Sequence, residues 1–374
     1  MIQRLIYNQL VANLSNPKIL LLYGPRQVGK TTVLKRLSKE TDKRILWWNG
    51  DEPDIRADLK QATSSFLKNQ LTKYDVLIID EAQRIENIGL TLKLIHENIP
   101  EIKVIASGSS SFDLANKINE PLTGRKQEFQ LFPISALELV NQDGEREFNR
   151  LLKTRLIFGS YPEVIMNPGK EREIILSLAD SYLYKDILTW ENIQKPAKLE
   201  KLIQALAFQL GSEVSINELS QLTALDNHTV ERYIQLLEKS FVIFQLHAFS
   251  RNLRNELKKS RKIYFYDNGI RNAVINQFAP FDLRQDIGAL WENYLISERM
   301  KKMSYNREYV KNYFWRTFAG QEIDFIEEVD GKISAFEFKW NPKAKPKFSK
   351  SFTNEYSPEV TQVVNSENYT DFIL

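Results

Sequence analysis

The chain has 374 residues, with 51 lysines and arginines against 48 aspartates and glutamates. That length suits two or three separate cores, and so balanced a charge leaves any nucleic-acid contact to a local basic patch. It contains no cysteine, which excludes disulfide scaffolds, thiolate zinc sites and dithiol redox chemistry.

The opening MIQRLIYNQLVANL has the spacing of an amphipathic helix rather than of a signal-peptide core. Apolar runs such as ILLLY at 19–23 fall far short of the ~20 residues that span a bilayer. A cytoplasmic chain with no targeting segment and no membrane partner is expected.

KILLLYGPRQVGKTTVLKRLSKE, 18–40, predicts a buried strand, a glycine-bearing loop and a helix. The loop fits G-x-x-x-x-G-K-[ST] through Gly24, Gly29, Lys30 and Thr31. The loop Gly24, Pro25, Arg26, Gln27, Val28 and Gly29, with Thr32 behind it, would close around the phosphates at a helix N-terminus, every residue but the proline offering a backbone N–H. Lys30 would reach the β- and γ-phosphates and the Thr31 hydroxyl would bind magnesium, so ATP and Mg2+ are the expected cofactors. YDVLIIDEAQRI, 74–85, is an apolar strand ending in two acids. Asp80 is expected in the magnesium shell and Glu81 against the attacking water.

IKVIASGSSSF, 102–112, reads as a third strand ending in serines. Ser107 and Ser109 are candidates for sensing the γ-phosphate, although serines after a strand also cap helices, as Ser111 would. In EPLTGRKQEFQLFPIS, 120–135, Arg125 precedes a fourth strand. The residues alone leave it as either a surface arginine or one that reaches a neighbouring subunit's γ-phosphate.

Residues 136–197 read as a helical linker, punctuated at FGSYPEVIMNPGK by glycine and proline. Across 198–270 three helices are expected, the second opened by Ser215 with Glu218 at capping-box spacing and the third by Asp226 or Asn227. Two strands follow, FVIFQLHAF and KIYFYDNG, in the order of a winged helix. They bracket RNLRNELKKSRK, six basic residues against one acid. Duplex DNA is one expected partner, held through phosphates by Arg251, Arg254, Lys258, Lys259, Arg261 and Lys262. A protein-binding module with a solvated loop is the alternative. His228 reads as a capping or surface residue.

The last segment, 271–374, predicts a helix carrying Glu292, two strands, an Asp330-Gly331 turn, a third strand, then a helix and a strand. In AFEFKW, alternation puts Ala335, Glu337 and Lys339 on one face and Phe336, Phe338 and Trp340 on the other, which would be the core face. Hairpin pairing would bring Asp324 beside Glu337. Two carboxylates and a lysine, with Glu292 adding a further acid, would give oxygen ligands for a second divalent cation and an amine to position water or steady a phosphorane. A same-face ion pair on a half-exposed sheet is the bland alternative.

Taken together, GPRQVGKTT, LIIDEAQR, SGSSS, LTGRKQEFQLFPIS, GSYPEV, KIYFYDNGIRNA, GALWENYLISE and GQEIDFIEE…AFEFK resemble a widespread prokaryotic family of AAA-type ATPases fused to a C-terminal domain of unknown function. The resemblance runs nearly the whole chain. It implies an α/β architecture: an AAA-type P-loop ATPase domain with a parallel sheet (1–135) of the additional-strand class, a winged-helix domain, and a PD-(D/E)XK-like α/β domain (271–374). It implies catalytic roles for Lys30, Glu81 and Lys339, and for Arg125 as the arginine before the last core strand, hence a homo-oligomer. Arg26 matches a family residue of underived role. Glu292, Asp324, Glu337 and Lys339 are similar to the PD-(D/E)XK nuclease pattern. No second-sensor arginine stands out. The function expected is magnesium-dependent ATP hydrolysis coupled to DNA binding and metal-dependent DNA cleavage. The alternative is a nucleotide-controlled switch whose later domains bind partners without cutting.

Overall fold

Three apolar runs dictate the centre of the first sheet. β1 (Ile19–Tyr23), β3 (Val76–Asp80) and β4 (Lys103–Gly108) are buried along their whole lengths, as parallel strands covered on both faces must be. A computed structural model of the chain describes residues 2–109, 122–181, 196–250, 261–317 and 319–374. They divide into two units, Met1–Pro133 with Lys239–Phe241, and Ile134–Glu238 with Val242–Leu374.

In the first unit β2 (Ile45–Asn49) and β5 (Lys126–Gln130) complete a five-stranded sheet of order β2-β3-β4-β1-β5, parallel throughout. β4 therefore lies between β1 and β3, the additional-strand arrangement expected from the sequence. Because every strand runs the same way, Gly24, Glu81 and Ser109 leave β1, β3 and β4 along one edge, where open α/β sheets bind ligands.

The second unit holds a seven-stranded mixed sheet of order β12-β11-β10-β9-β7-β8-β6. Its strands are β6 (Glu213–Val214), β7 (Ile243–Ala248), β8 (Arg261–Phe265), β9 (Lys311–Arg316), β10 (Glu322–Val329), β11 (Lys332–Phe338) and β12 (Val360–Val364). Helices Pro196–Phe208, Ile216–Thr223 and Asn227–Lys239 precede the β7–β8 hairpin in the expected order. Ser215 caps the second, accepting from the Glu218 N–H, and Asp226 caps the third, accepting from the Thr229 N–H at 2.9 Å. Two features were not expected: β6 adds a short strand to β8, and β7 pairs in parallel with β9, so the hairpin and the last third of the chain share one sheet.

The β10–β11 hairpin turns at Asp330 (φ 51°) and Gly331 (φ 82°), the two positive φ angles of a type I′ turn. Its two faces are both covered. Phe336 and Phe338 pack against Phe325 and Phe372. Ile333 and Ala335 on the opposite face join Trp315, Ile323, Ile326, Phe352 and Tyr356. The expectation of a single core face is thus corrected: helix Lys350–Tyr356, which carries Phe352 and Tyr356, covers the other side.

The punctuated loop around residue 159 is a packed seam. Asp267 Oδ2 accepts from the Ser160 N–H at 2.7 Å, and a Cβ on Gly159 would stand 1.9 Å from Asp267 Oδ1. Among the described residues no helix is long and apolar enough to cross a membrane.

Candidate functional site

At the C-terminal edge of the first sheet the chain turns from β1 into helix Lys30–Glu40. Gly24 (φ 152°) is demanded by space, since a Cβ there would lie 2.0 Å from the Leu131 carbonyl oxygen. Gln27 adopts φ 59° and Gly29 φ 96°, conformations that bend the loop over the helix terminus. Val28 is fully buried beneath it. Arg4, itself buried, donates to the carbonyls of Val28 and, at 2.6 Å, Phe132, tying the loop to the sheet edge.

Lys30 Nζ folds back to donate to the carbonyls of Gly24 and Pro25, both at 2.7 Å. Burial lowers its pKa to about 8, while the Glu81 and Asp80 carboxylates oppose the shift. Thr31 Oγ1 donates to Asp80 Oδ2 at 2.7 Å, and Ser107 donates to the other Asp80 oxygen. A hydroxyl and a carboxylate side by side are hard oxygen donors that fit magnesium. A cleft of about 370 Å³ opens over this group, and Arg26, Gln27, Gly29, Lys30, Thr31, Thr32 and Glu81 line it with Asp51 and Arg84.

Glu81 sits at φ 49°, a left-handed conformation costing about 1–3 kcal/mol for such a residue. Gly50 makes it possible: its N–H donates to the Asp80 carbonyl at 2.8 Å, and a Cβ there would lie 2.3 Å from the Glu81 carbonyl oxygen. Gln83 Nε2 donates to Glu81 Oε2 at 2.6 Å and to Ser109 Oγ at 3.1 Å. Ser109 is fully buried.

Sequence reasoning missed Arg4 and Gln83. Only the adjacency of Gln83 to the acid pair hinted at it. Arg125 is brought to the opposite end of the strands: its carbonyl accepts from the N–H of Ile19, the first residue of β1. Five residues of strand, about 16 Å, separate its backbone from the loop that follows β1. Its guanidinium pairs with Glu97 at 3.0 Å.

In the second unit the register Phe325↔Phe336 sets Asp324 opposite Glu337. Lys339 Nζ lies 3.3 Å from Asp324 Oδ2 and 3.1 Å from Glu337 Oε2, and the Phe338 N–H donates to Asp324 at 2.8 Å. Burial, then the neighbouring Asp324 charge, pushes Glu337 up to about 7 against the pull of Lys339. The two carboxylates raise the Lys339 pKa in spite of its own burial.

Glu292 stands near Asp324: burial, then the Asp324 charge, raises its pKa against the pull of Lys262. Tyr264 OH donates to Glu292 Oε1 at 2.5 Å and Lys262 Nζ stands 3.2 Å from the same oxygen. Among the described residues no three carboxylates or imidazoles stand together as a metal-holding group.

Of the expected nucleic-acid residues, Arg251, Arg254, Lys258 and Lys259 lie outside the described residues. Arg261 and Lys262 are not the free surface cations expected. Arg261 forks onto both oxygens of Glu231, and Lys262, 1% exposed, is neutralised by Glu292 and Glu322.

Residues 16–140 match the family described as AAA domain. The first unit has the fold of an AAA-type P-loop ATPase. Residues 149–280 and 287–371 match two further families, Domain of unknown function (DUF8612) and Domain of unknown function (DUF4143). An uncharacterized protein of Mycobacterium tuberculosis is 25% identical over 328 residues, covering 86% of this chain and 70% of its own length. One of Haemophilus influenzae is 26% identical over 210 residues, covering 54% and 52%. Among solved structures, the Walker-type ATPase of Pyrococcus abyssi shares the fold over 74% of this chain and 96% of its own, with a TM-score of 0.54 at 15% identity.

Proposed function

We propose that the first unit hydrolyses ATP on magnesium and that the second unit is a DNA-directed module combining a winged helix with a PD-(D/E)XK-like site for metal-assisted phosphodiester cleavage. The observation that carries the hydrolysis reading is the Thr31–Asp80 contact of 2.7 Å beside the buried Lys30 ammonium. Thr31 and Asp80 would hold magnesium, which would neutralise phosphate charge, Lys30 would turn from the loop carbonyls to the phosphates, and Glu81 would take the proton of the attacking water. Lys30→Ala is expected to abolish turnover measured by phosphate release. A variant with full turnover would defeat the reading.

The cleavage reading is supported by Asp324, Glu337 and Lys339 meeting within hydrogen-bond reach. Plasmid incubated with magnesium or manganese should be nicked by the native chain and spared by Asp324→Ala and Lys339→Ala. Equal cleavage by all three, or none by the native chain, removes it. The switch reading, binding without cutting, is favoured by one observation: the Lys262 ammonium already neutralises Glu292 and Glu322. A calorimetric titration of manganese into the Lys30→Ala chain discriminates, because silence there supports the switch.

Arg125, whose backbone lies at the opposite end of β1 from the phosphate loop, is assigned to a neighbouring subunit's site. Mixing Arg125→Ala with Glu81→Gln should restore activity at shared interfaces, and failure of that complementation counts against the oligomer.

A further inference from the structure

We infer that Gln83 is a positioning residue that couples Ser109 to Glu81, so that contact between the γ-phosphate and the sensor strand sets the catalytic carboxylate. The inference rests on the ATPase reading above and deepens it.

One primary amide carries two N–H donors, and here both are used at once. Nε2 of Gln83 reaches Glu81 Oε2 at 2.6 Å and Ser109 Oγ at 3.1 Å. Gln83 is 5% exposed and Ser109 is fully buried, so water does not compete for the bond between them, while the Glu81 carboxylate at the other end lines the cleft. The two partners come from different strands, Glu81 from the end of β3 and Ser109 from the end of β4. The amide therefore bridges neighbouring strand ends that sequence separates by 28 positions.

Both anchors are themselves held. The Glu81 backbone is locked in its left-handed conformation against Gly50, which leaves the side-chain torsions as the carboxylate's remaining freedom. The Gln83 bond fixes those torsions. Ser107, two residues before Ser109 on the same strand, already donates to Asp80, so β4 is linked by hydrogen bonds to both acids of the site.

Hydrolysis requires a water oxygen to form a bond to the γ-phosphorus as the bridging P–O bond to the β-phosphate breaks, the water proton passing to Glu81. The carboxylate oxygen must then face the water in a narrow range of directions. When a γ-phosphate takes the Ser109 hydroxyl as a donor, the amide that shares that hydroxyl turns with it and carries the Glu81 oxygen towards the water.

The test compares Gln83→Met, which keeps the side-chain length without a donor, with Gln83→Ala, in the full chain. Both should lower kcat by between about 10- and 100-fold and leave ATP affinity, measured with inactive magnesium-free protein, unchanged. Ser109→Ala should also lower kcat, and the two effects should not multiply in Gln83→Met/Ser109→Ala, because one linkage is being cut twice. Native turnover in Gln83→Met assigns the side chain to packing and overturns the inference. So do multiplicative effects in the double variant, or a loss of ATP affinity that accounts for the loss of rate. Glu81→Gln separates the two levels: if it retains full turnover the ATPase reading of the site fails, whereas an inactive Glu81→Gln beside a fully active Gln83→Met sinks only the coupling.

Discussion

Glu337→Gln should stabilise the chain by an amount that grows as pH rises from 4.5 to about 7 and then levels off. The carboxyl is 7% exposed on β11, and burial with the Asp324 charge raises its pKa from 4.5 to about 7. Below 4.5 the group is protonated in both folded and unfolded chains and its burial carries no penalty. As pH rises from there to about 7 the unfolded chain has released the proton that the folded one still holds, so folding loses stability across that window and not beyond it. The full displacement corresponds to about 3 kcal/mol as a ceiling. A glutamine avoids that cost but forfeits the ionic partner of Lys339, worth about 1 kcal/mol, so a net gain of about 1–2 kcal/mol is expected at pH 8. Lys339 keeps Asp324 at 3.3 Å in either case. Urea unfolding of wild type and variant followed by tryptophan fluorescence at pH 5, 6, 7 and 8 reads the difference directly. It should be near zero or slightly negative at pH 5 and reach a plateau above pH 7. A gain that is independent of pH, or largest at pH 5, would refute the assignment of burial as the cause.

Lys30, lowered to about 8 by burial, is partly neutral in the free protein above that pH, and a bound triphosphate favours its charged form; ATP binding at pH 8.5 should take up protons and weaken with rising pH. Calorimetry in two buffers of different ionisation enthalpy checks this, and identical heats would count against it. Lys262→Met leaves Glu292 without its counter-ion and Glu322 with only the more distant Arg316 at 3.9 Å and should cost about 3–5 kcal/mol in urea unfolding, part of which Glu292→Gln in the same chain should restore. Gly331→Ala, at φ 82° with open space around it, should cost about 1 kcal/mol, whereas Gly159→Ala, at φ 75° and driven against Asp267 Oδ1, should cost several-fold more by the same measurement.

The phosphate loop was legible because its chemistry is contiguous: Gly24, Gly29, Lys30 and Thr31 come to one helix terminus through local geometry alone. The Ser215 and Asp226 caps and the Asp330-Gly331 turn were legible for the same reason, each being settled within four residues. The meeting of Asp324, Glu337 and Lys339 also followed from hairpin alternation, although a register shift between Ile323 and Ile326 turns both isoleucines into one core, which strict alternation forbids. Gln83 was not legible, because its bond to Glu81 depends on a left-handed backbone that Gly50 admits from another strand.

Lys262 marks the limit most clearly. In RNLRNELKKSRK it is one more basic residue in a run, and local composition assigns it to the solvent. Its fate is decided thirty residues later by Glu292 on helix Ile287–Asn306 and sixty later by Glu322 on β10, whose carboxylates surround the position where β8 delivers the ammonium. Arg261, its neighbour on the strand, is likewise held by Glu231. A charge counted along the sequence is therefore not a charge available to a partner: both of the run's described cations are committed to carboxylates of the same chain, and neither is free to contact a phosphate.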